Sequence, residues 1–206
     1  MDIVTAAKSD LLDEYARDLV KKGMKKVGQG TFAYVFKHPT YSNMVVRVSD
    51  VSDVGNEWLH RCAKYPNNPW LPKVAAQFAA VVVNRKKRTR TRIIISFVER
   101  LTKPFYFDYA RRKGGRLWDV MYQLQKLGLA PRGIKEWGLI LQRLDNATVK
   151  FADPYFTQAM KLMFKPPRGN GKVHFDLLEF NFRMRGDQIV INDPWWRSNK
   201  DQVISI

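Results

Sequence analysis

The chain has 206 residues, of which 45% are hydrophobic and 13% aromatic, enough to build a folded core and to exclude a disordered chain. Its 36 lysines and arginines outnumber the 19 aspartates and glutamates and give a net charge of +17. This charge indicates an anionic partner but does not determine the fold. The single cysteine, Cys62, excludes an intramolecular disulfide and is typical of a cytosolic protein, and we expect no signal peptide and no membrane-spanning segment.

The N-terminal region predicts a helix followed by a glycine turn between strands. Apolar residues recur at helical spacing over residues 9–23, and Gly23 would end that helix. Residues 25–37 hold two glycines followed by β-favouring side chains, which predicts a strand, a turn and a second strand. A His-Pro turn then leads to a valine-rich third strand at residues 44–48.

A second helix and a pair of strands are predicted next. Asp53 can cap a helix that extends to about residue 65, where prolines break the pattern. Residues 74–83 and 93–98 are apolar enough to form two paired strands. The connection between them, residues 85–92, carries six positive charges and no negative one.

Beyond residue 100 the pattern becomes mainly helical. Apolar residues recur at helical spacing from 117 to 127, and Asp153-Pro154 would begin another helix. Residues 182–184 and 189–191 indicate a short strand pair. We therefore predict an α+β fold in three parts: an N-terminal helix at residues 1–23, a β-rich lobe at residues 24–101 and a reduced, mainly helical lobe at residues 102–206.

The first candidate site is the glycine loop, Gly28-Gln29-Gly30-Thr31-Phe32-Ala33. Two glycines between strands allow backbone N–H groups to approach phosphate oxygens closely. A plain hairpin turn explains the same residues. A dinucleotide-binding fingerprint is disfavoured, because that motif opens into a helix and this loop opens into β-type sequence.

The second candidate site lies near the C-terminus and begins at His174. Phosphoryl transfer needs a carboxylate that orients and deprotonates the attacking hydroxyl, and an amide with a second carboxylate that hold magnesium. Asp176, Asn181 and Asp193 supply these groups in that order, and a short hairpin between Asn181 and Asp193 would bring the last two together. Alternatively, these are ordinary turn residues.

The third candidate is Arg47, a charge within a strand of valines. A charge on such a strand is costly to bury without a partner. Glu57, ten residues further on the predicted helix, is the partner that we expect. An arginine on an edge strand that points to water is the alternative.

The order of these features resembles the protein-kinase-like fold: a glycine loop, a basic third-strand residue, a glutamate on the next helix, an Asp-x4-Asn loop and a strand-borne aspartate. More closely, residues 24–196 are similar to the small early serine/threonine kinases of lytic podovirus bacteriophages. The resemblance implies a minimal bilobal kinase fold that uses ATP and magnesium. It also implies that host proteins are the substrates, including transcription or RNA-processing machinery, in the cytoplasm of the infected cell.

The resemblance also assigns roles by position. Asp176 would be the catalytic base within a loop that begins at His174, and Asn181 and Asp193 would bind magnesium. Arg47 would bind phosphate and be held by Glu57. The glycine loop would cover the ATP phosphates, and residues 96–101, which include Glu99, would form the hinge against adenine.

Five positions depart from the family pattern. Arginine stands at position 47 in place of lysine, and the two side chains are not interchangeable as phosphate ligands. Ala33 replaces the third loop glycine, Phe175 replaces the catalytic-loop arginine, and Pro194-Trp195 replaces Phe-Gly. Arg47 favours an alternative, a pseudokinase that acts by binding a host protein or nucleoprotein.

Two further alternatives follow from the same residues. A small-molecule phosphotransferase of the aminoglycoside-kinase type shares the His-x-Asp-x4-Asn loop, but a chain with a charge of +17 is poorly suited to cationic substrates. A non-enzymatic nucleic-acid binder would not need Asp176. The basic stretch predicts contact with nucleic acid or an acidic protein, with a solubilising loop as the alternative; its cations are Arg85, Lys86, Lys87, Arg88, Arg90 and Arg92.

Overall fold

The computed structural model of the protein describes residues 10–84, 88–102, 153–165, 167, 172–175, 181–186 and 188–198. The predicted helix at residues 117–127 lies outside these ranges, as do Asp176 and three cations of the basic stretch, Arg85, Lys86 and Lys87. The chain divides into two units. The first consists of Met1–Lys64 and Lys73–Arg100, and the second of Tyr65–Pro72 and Leu101–Ile206.

The described elements mix helices and strands. In chain order they are α1 (Asp10–Lys21), β1 (Lys26–Gln29), β2 (Ala33–Lys37), β3 (Met44–Asp50), α2 (Val54–Cys62), β4 (Val74–Asn84), β5 (Thr89–Glu99), α3 (Pro154–Met163), β6 (Lys172–Phe175), β7 (Phe182–Arg185), β8 (Gln188–Ile191) and β9 (Trp195–Ser198). None of the three helices in these ranges is long and apolar enough to cross a membrane.

The first unit is built on a five-stranded antiparallel sheet with the order β1-β2-β3-β5-β4. The predicted strands and the helix after β3 are confirmed, but α2 ends at Cys62 rather than near residue 65. One boundary prediction is wrong: β5 begins at Thr89, so Arg90 and Arg92 lie on a strand and not in a loop. Each of these arginines is paired across the hairpin with a valine of β4.

One face of this sheet packs against α1. Leu12 and Ala16 of α1 join Tyr34, Phe36, Val46, Val48 and Ile93 in a cluster of buried side chains. Because side chains alternate along a strand, the residue between the two buried valines of β3 points to the other face. That residue is Arg47, and its partners belong to β3 and to the start of α2.

The helix α2 has an apolar face of five buried residues, Val54, Gly55, Trp58, Leu59 and Cys62. Cys62 is completely buried, and burial raises the pKa of its thiol well above the usual value. The cysteine is therefore a neutral core residue at physiological pH.

The second unit contains α3 and two antiparallel strand pairs, β6 with β9 and β7 with β8. Asp153 caps α3 by accepting from the N–H groups of Tyr155 and Phe156 at 2.8 and 3.2 Å, with Pro154 in the first turn as predicted. The buried face of α3 is formed by Phe156, Ala159, Met160 and Met163.

Candidate functional site

The glycine loop forms a tight turn between β1 and β2. The N–H of Gly30 donates to the carbonyl oxygen of Ala33 at 2.9 Å, and Ala33 itself is buried in β2. Neither Gly28 nor Gly30 has a positive φ, which in the described glycines occurs only at Gly23 and Gly186. A Cβ added to Gly30 would meet nothing within 4 Å, so the turn itself does not require glycine at that position.

Arg47 lies in the middle of the sheet and is held by a polar network. Its Nη2 donates to Oδ2 of Asp53 at 2.6 Å, and its Nη1 donates to Oγ of Ser49 and to Oδ1 of Asn56, both at 2.9 Å. The side chains of the ion pair are only 13% and 9% exposed. A charge this enclosed needs its partners, and Asp53 supplies the opposite charge.

Asp53 also caps α2 through its other carboxylate oxygen. Oδ1 accepts from the N–H of Gly55 at 2.8 Å, while Oδ2 binds Arg47. One carboxylate therefore fixes both the start of the helix and the guanidinium. The sequence identified Asp53 as a cap but missed it as the partner of Arg47.

The predicted pair between Arg47 and Glu57 is wrong. The carboxylate of Glu57 accepts from Nε of Arg61 at 2.8 Å, one turn further along α2, and its side chain is 43% exposed. The apolar residues of α2 occupy the buried face, which leaves Glu57 on the solvent-facing flank beside Arg61. The first turn of the helix, with Asp53 and Asn56, is the part that reaches Arg47.

The network around Arg47 continues across the sheet. Ser49 and Ser96 are both completely buried, and Ser96 lies beside Arg47 in the register of β3 and β5. The amide of Gln77 on β4 donates to Oγ of Ser96 and to the carbonyl oxygen of Asn56, each at 3.1 Å. This network joins three strands to α2.

The predicted hinge begins inside a strand. Residues 96–99 belong to β5, and only Arg100 and Leu101 follow it. The carboxylate of Glu99 accepts from the backbone N–H of Lys73 at 2.7 Å, and the backbone N–H of Glu99 donates to the carbonyl oxygen of Lys73 at 3.0 Å. Glu99 therefore anchors the entry to β4.

Asn181 and Asp193 lie next to each other at the open end of the β7–β8 hairpin. The carbonyl oxygen of Asn181 accepts from the N–H of Asn192 at 2.8 Å and from the N–H of Asp193 at 3.4 Å. The hairpin that connects them turns at Gly186, whose φ of 56° suits glycine. The predicted return of the chain across a short hairpin is therefore present.

The pair β6–β9 brings two further parts of the site together. Phe175, the residue before Asp176, is paired with Trp195, and His174 is paired with Trp196. Trp195 follows Asp193 by two residues. The chain leading to Asp176 and the chain leaving Asp193 are thus neighbours, although Asp176 itself lies outside the described ranges.

The donor chemistry at Asn181 and Asp193 fits magnesium. An amide and a carboxylate offer oxygen ligands, which Mg²⁺ prefers, and the hairpin fixes their backbones side by side. Within the part of the chain that the structure describes, no group of three or more His, Cys, Asp and Glu side chains could hold a metal ion. No protein-family model matches this chain, and no curated protein is significantly similar to it.

Proposed function

We propose that the chain is a serine/threonine protein kinase with a minimal bilobal kinase-like fold, which uses ATP and magnesium to phosphorylate proteins of a bacterial host. The observation that carries this proposal is the hairpin that returns Asp193 to Asn181. An amide and a carboxylate brought together by strand pairing are the metal-holding groups that phosphoryl transfer requires.

The first unit supports the same proposal. A glycine turn joins β1 to β2, a basic residue lies on β3, and a helix follows β3 before the sheet continues. This is the order of the nucleotide-binding features in protein kinases. Neither the φ of Gly30 nor the space around it requires glycine at this position. Close approach of a ligand to the backbone would explain why glycine is present there.

In this proposal the residues have distinct roles. Asp176 accepts the proton of the substrate hydroxyl and orients its oxygen toward the γ-phosphate. Asn181 and Asp193 hold magnesium, which neutralises charge on the phosphates when it is bound. Arg47 keeps the sheet and α2 together, so phosphate binding falls mainly to the N–H groups of the turn that follows Gly30.

The experiment that tests the proposal is incubation of the protein with labelled ATP, magnesium and a bacterial lysate. We expect a defined set of labelled proteins with the wild type, and a loss of label by a factor of about 100 or more with Asp176→Asn and Asp193→Asn. Asp18→Asn is the matched control, because Asp18 is an exposed residue of α1 outside the site. Equal labelling by wild type and Asp176→Asn would contradict the proposal.

A pseudokinase is the second candidate, and the surroundings of Arg47 favour it. Both terminal nitrogens of the guanidinium are occupied by Ser49, Asn56 and Asp53, which gives Arg47 a structural task in the position of the usual phosphate-binding lysine. Calorimetry separates the candidates. Magnesium-dependent ATP binding without any labelled protein would support the pseudokinase, and absence of ATP binding would exclude the kinase.

A further inference from the structure

The hairpin of β4 and β5 extends beyond the rest of the sheet. β3 pairs with β5 from Glu99 to Ile93, whereas β4 continues to pair with β5 as far as Thr89. The first four residues of β5, Thr89–Arg92, therefore project past β3 by about 14 Å and form a two-stranded ribbon with β4. We call residues 81–83 and 88–92 the basic arm.

The basic arm carries its charges on one face. Arg90 and Arg92 are two residues apart on β5, so their side chains point to the same side. Val83 and Val81 are their direct partners on β4, share this face and are 58% and 62% exposed. Arg88, at the tip, is also exposed.

These arginines are available for a partner. No described residue forms an ion pair with Arg88, Arg90 or Arg92. The hairpin sequence from residue 74 to residue 98 contains no acidic residue at all. The arm is therefore a concentrated positive charge that no described residue neutralises.

We propose that the basic arm binds duplex DNA by entering the major groove. A two-stranded ribbon fits that groove, which is about 12 Å wide. Two residues of a strand advance by about 6.8 Å, which matches two steps of about 3.4 Å between phosphates along one DNA strand. Arg90 and Arg92 can thus contact phosphates two nucleotides apart on one strand, while the exposed valines face the sugars and base edges.

Other partners fit this surface less well. A second copy of the chain would place the same positive charges against each other, which disfavours association through this ribbon. Membrane-binding faces use Trp, Phe or Leu, and residues 81–92 contain none of them. Duplex RNA has a deep, narrow major groove that excludes the ribbon.

Fluorescence anisotropy with a labelled DNA duplex of about 20 base pairs tests the proposal in the full-length protein. The variant is Arg90→Ser with Arg92→Ser, and the matched control is Lys22→Ser with Lys25→Ser, which removes the same charge from exposed positions elsewhere. Removing two phosphate contacts should lower the slope of log affinity against log salt by about 1.8. The control should leave this slope nearly unchanged, and thermal unfolding should be alike for all three proteins.

Three results would overturn the proposal. Equal losses of DNA affinity in the arm variant and in the control would show that net charge alone attracts DNA. An unchanged slope in the arm variant would place the contacts elsewhere. Tighter binding of the wild type to poly-glutamate, or to duplex RNA of the same length, than to the DNA at equal salt would assign the arm to a different partner. ATP is absent throughout, so the outcome does not depend on kinase activity.

Discussion

Arg47 illustrates how a single charged residue can organise a helix on a sheet. Its guanidinium spans Ser49 on its own strand, Asn56 in the first turn of α2 and the capping carboxylate of Asp53. The planar fork of arginine can satisfy acceptors in different directions at once, which an ammonium group does less well. This geometry accounts for arginine rather than lysine at position 47.

A double-mutant cycle tests which carboxylate holds Arg47. Asp53→Asn keeps the helix cap, since Asn and Asp cap equally well, and removes only the charge. We expect urea unfolding to give a coupling energy of about 2 kcal/mol between Arg47→Met and Asp53→Asn, because breaking an enclosed pair leaves a charge uncompensated. The matched cycle with Glu57→Gln should give a value below about 0.5 kcal/mol. A larger coupling to Glu57 than to Asp53 would contradict the structure.

The sequence predicts half of this arrangement. A charge among valines needs a partner, and an aspartate before an apolar helix is a cap, and both statements hold for Arg47 and Asp53. The identity of the partner depends on where the short connection after β3 places the first turn of α2. Glu57 lies about 6 Å further along the helix axis, and that displacement follows from tertiary structure rather than from the sequence pattern.

At the scale of elements, two glycines show how differently one residue type can be used. Gly23 ends α1 with a φ of 89°, and the N–H of Met24 returns to the carbonyl oxygen of Leu19 at 3.0 Å, as in a Schellman cap. Gly30 has an ordinary φ and open space around it. The fold therefore requires glycine at position 23 and tolerates a side chain at position 30.

Alanine substitution at these two glycines separates folding from binding. Gly23→Ala should reduce stability by about 1 kcal/mol and leave ATP affinity unchanged, because it strains only the end of α1. Gly30→Ala should keep the stability or raise it slightly, since it restricts the unfolded chain. If the turn covers phosphates, the added Cβ should weaken ATP binding in calorimetry. Wild-type ATP affinity in Gly30→Ala would identify the loop as a plain hairpin turn.

The boundaries of β5 show where sequence patterns fail. The apolar run predicts a strand from residue 93, because a half-buried strand shows its apolar face in the sequence. The preceding residues, Thr-Arg-Thr-Arg, have no buried face, so their sequence lacks an alternating apolar pattern and resembles that of a loop. It is nevertheless a strand, since β4 supplies the hydrogen bonds and threonine favours extended structure.

For the molecule as a whole, the second unit takes in a segment from the first half of the chain. Tyr65–Pro72 belongs to the same unit as the C-terminal half of the chain. The change to a mainly helical sequence pattern near residue 100 does not reveal this. The side chain of Asn68 donates to the carbonyl oxygen of Tyr155 at 2.8 Å, and Arg185 donates to the carbonyl oxygens of Pro69 and Leu71 at 2.9 Å. Short, proline-rich sequence predicts a turn and contains no signal for such distant partners.

Trp70 is the centre of this segment. Its indole N–H donates to Asp153 at 2.6 Å, its ring lies 4.6 Å from that of Phe156, and its carbonyl oxygen accepts from the N–H of Ile191 at 2.8 Å. Trp70 therefore connects the segment to both α3 and β8. In the first unit, Trp58 is the comparable residue, fully buried on α2.

Hydrogen exchange of the full-length protein tests this division. Trp70→Phe leaves the carboxylate of Asp153 without its indole donor, at a cost of about 2 kcal/mol, and should speed amide exchange in α3 and the β7–β8 hairpin roughly 30-fold. Amides of β3 and β5 should exchange at the wild-type rate. Trp58→Phe is the matched control. It opens a cavity in the first unit, so it should speed amide exchange in β3 and β5 and leave exchange in α3 and the β7–β8 hairpin at the wild-type rate. If Trp70→Phe accelerated exchange equally in β3 and in α3, residues 65–72 would not belong to a separate second unit.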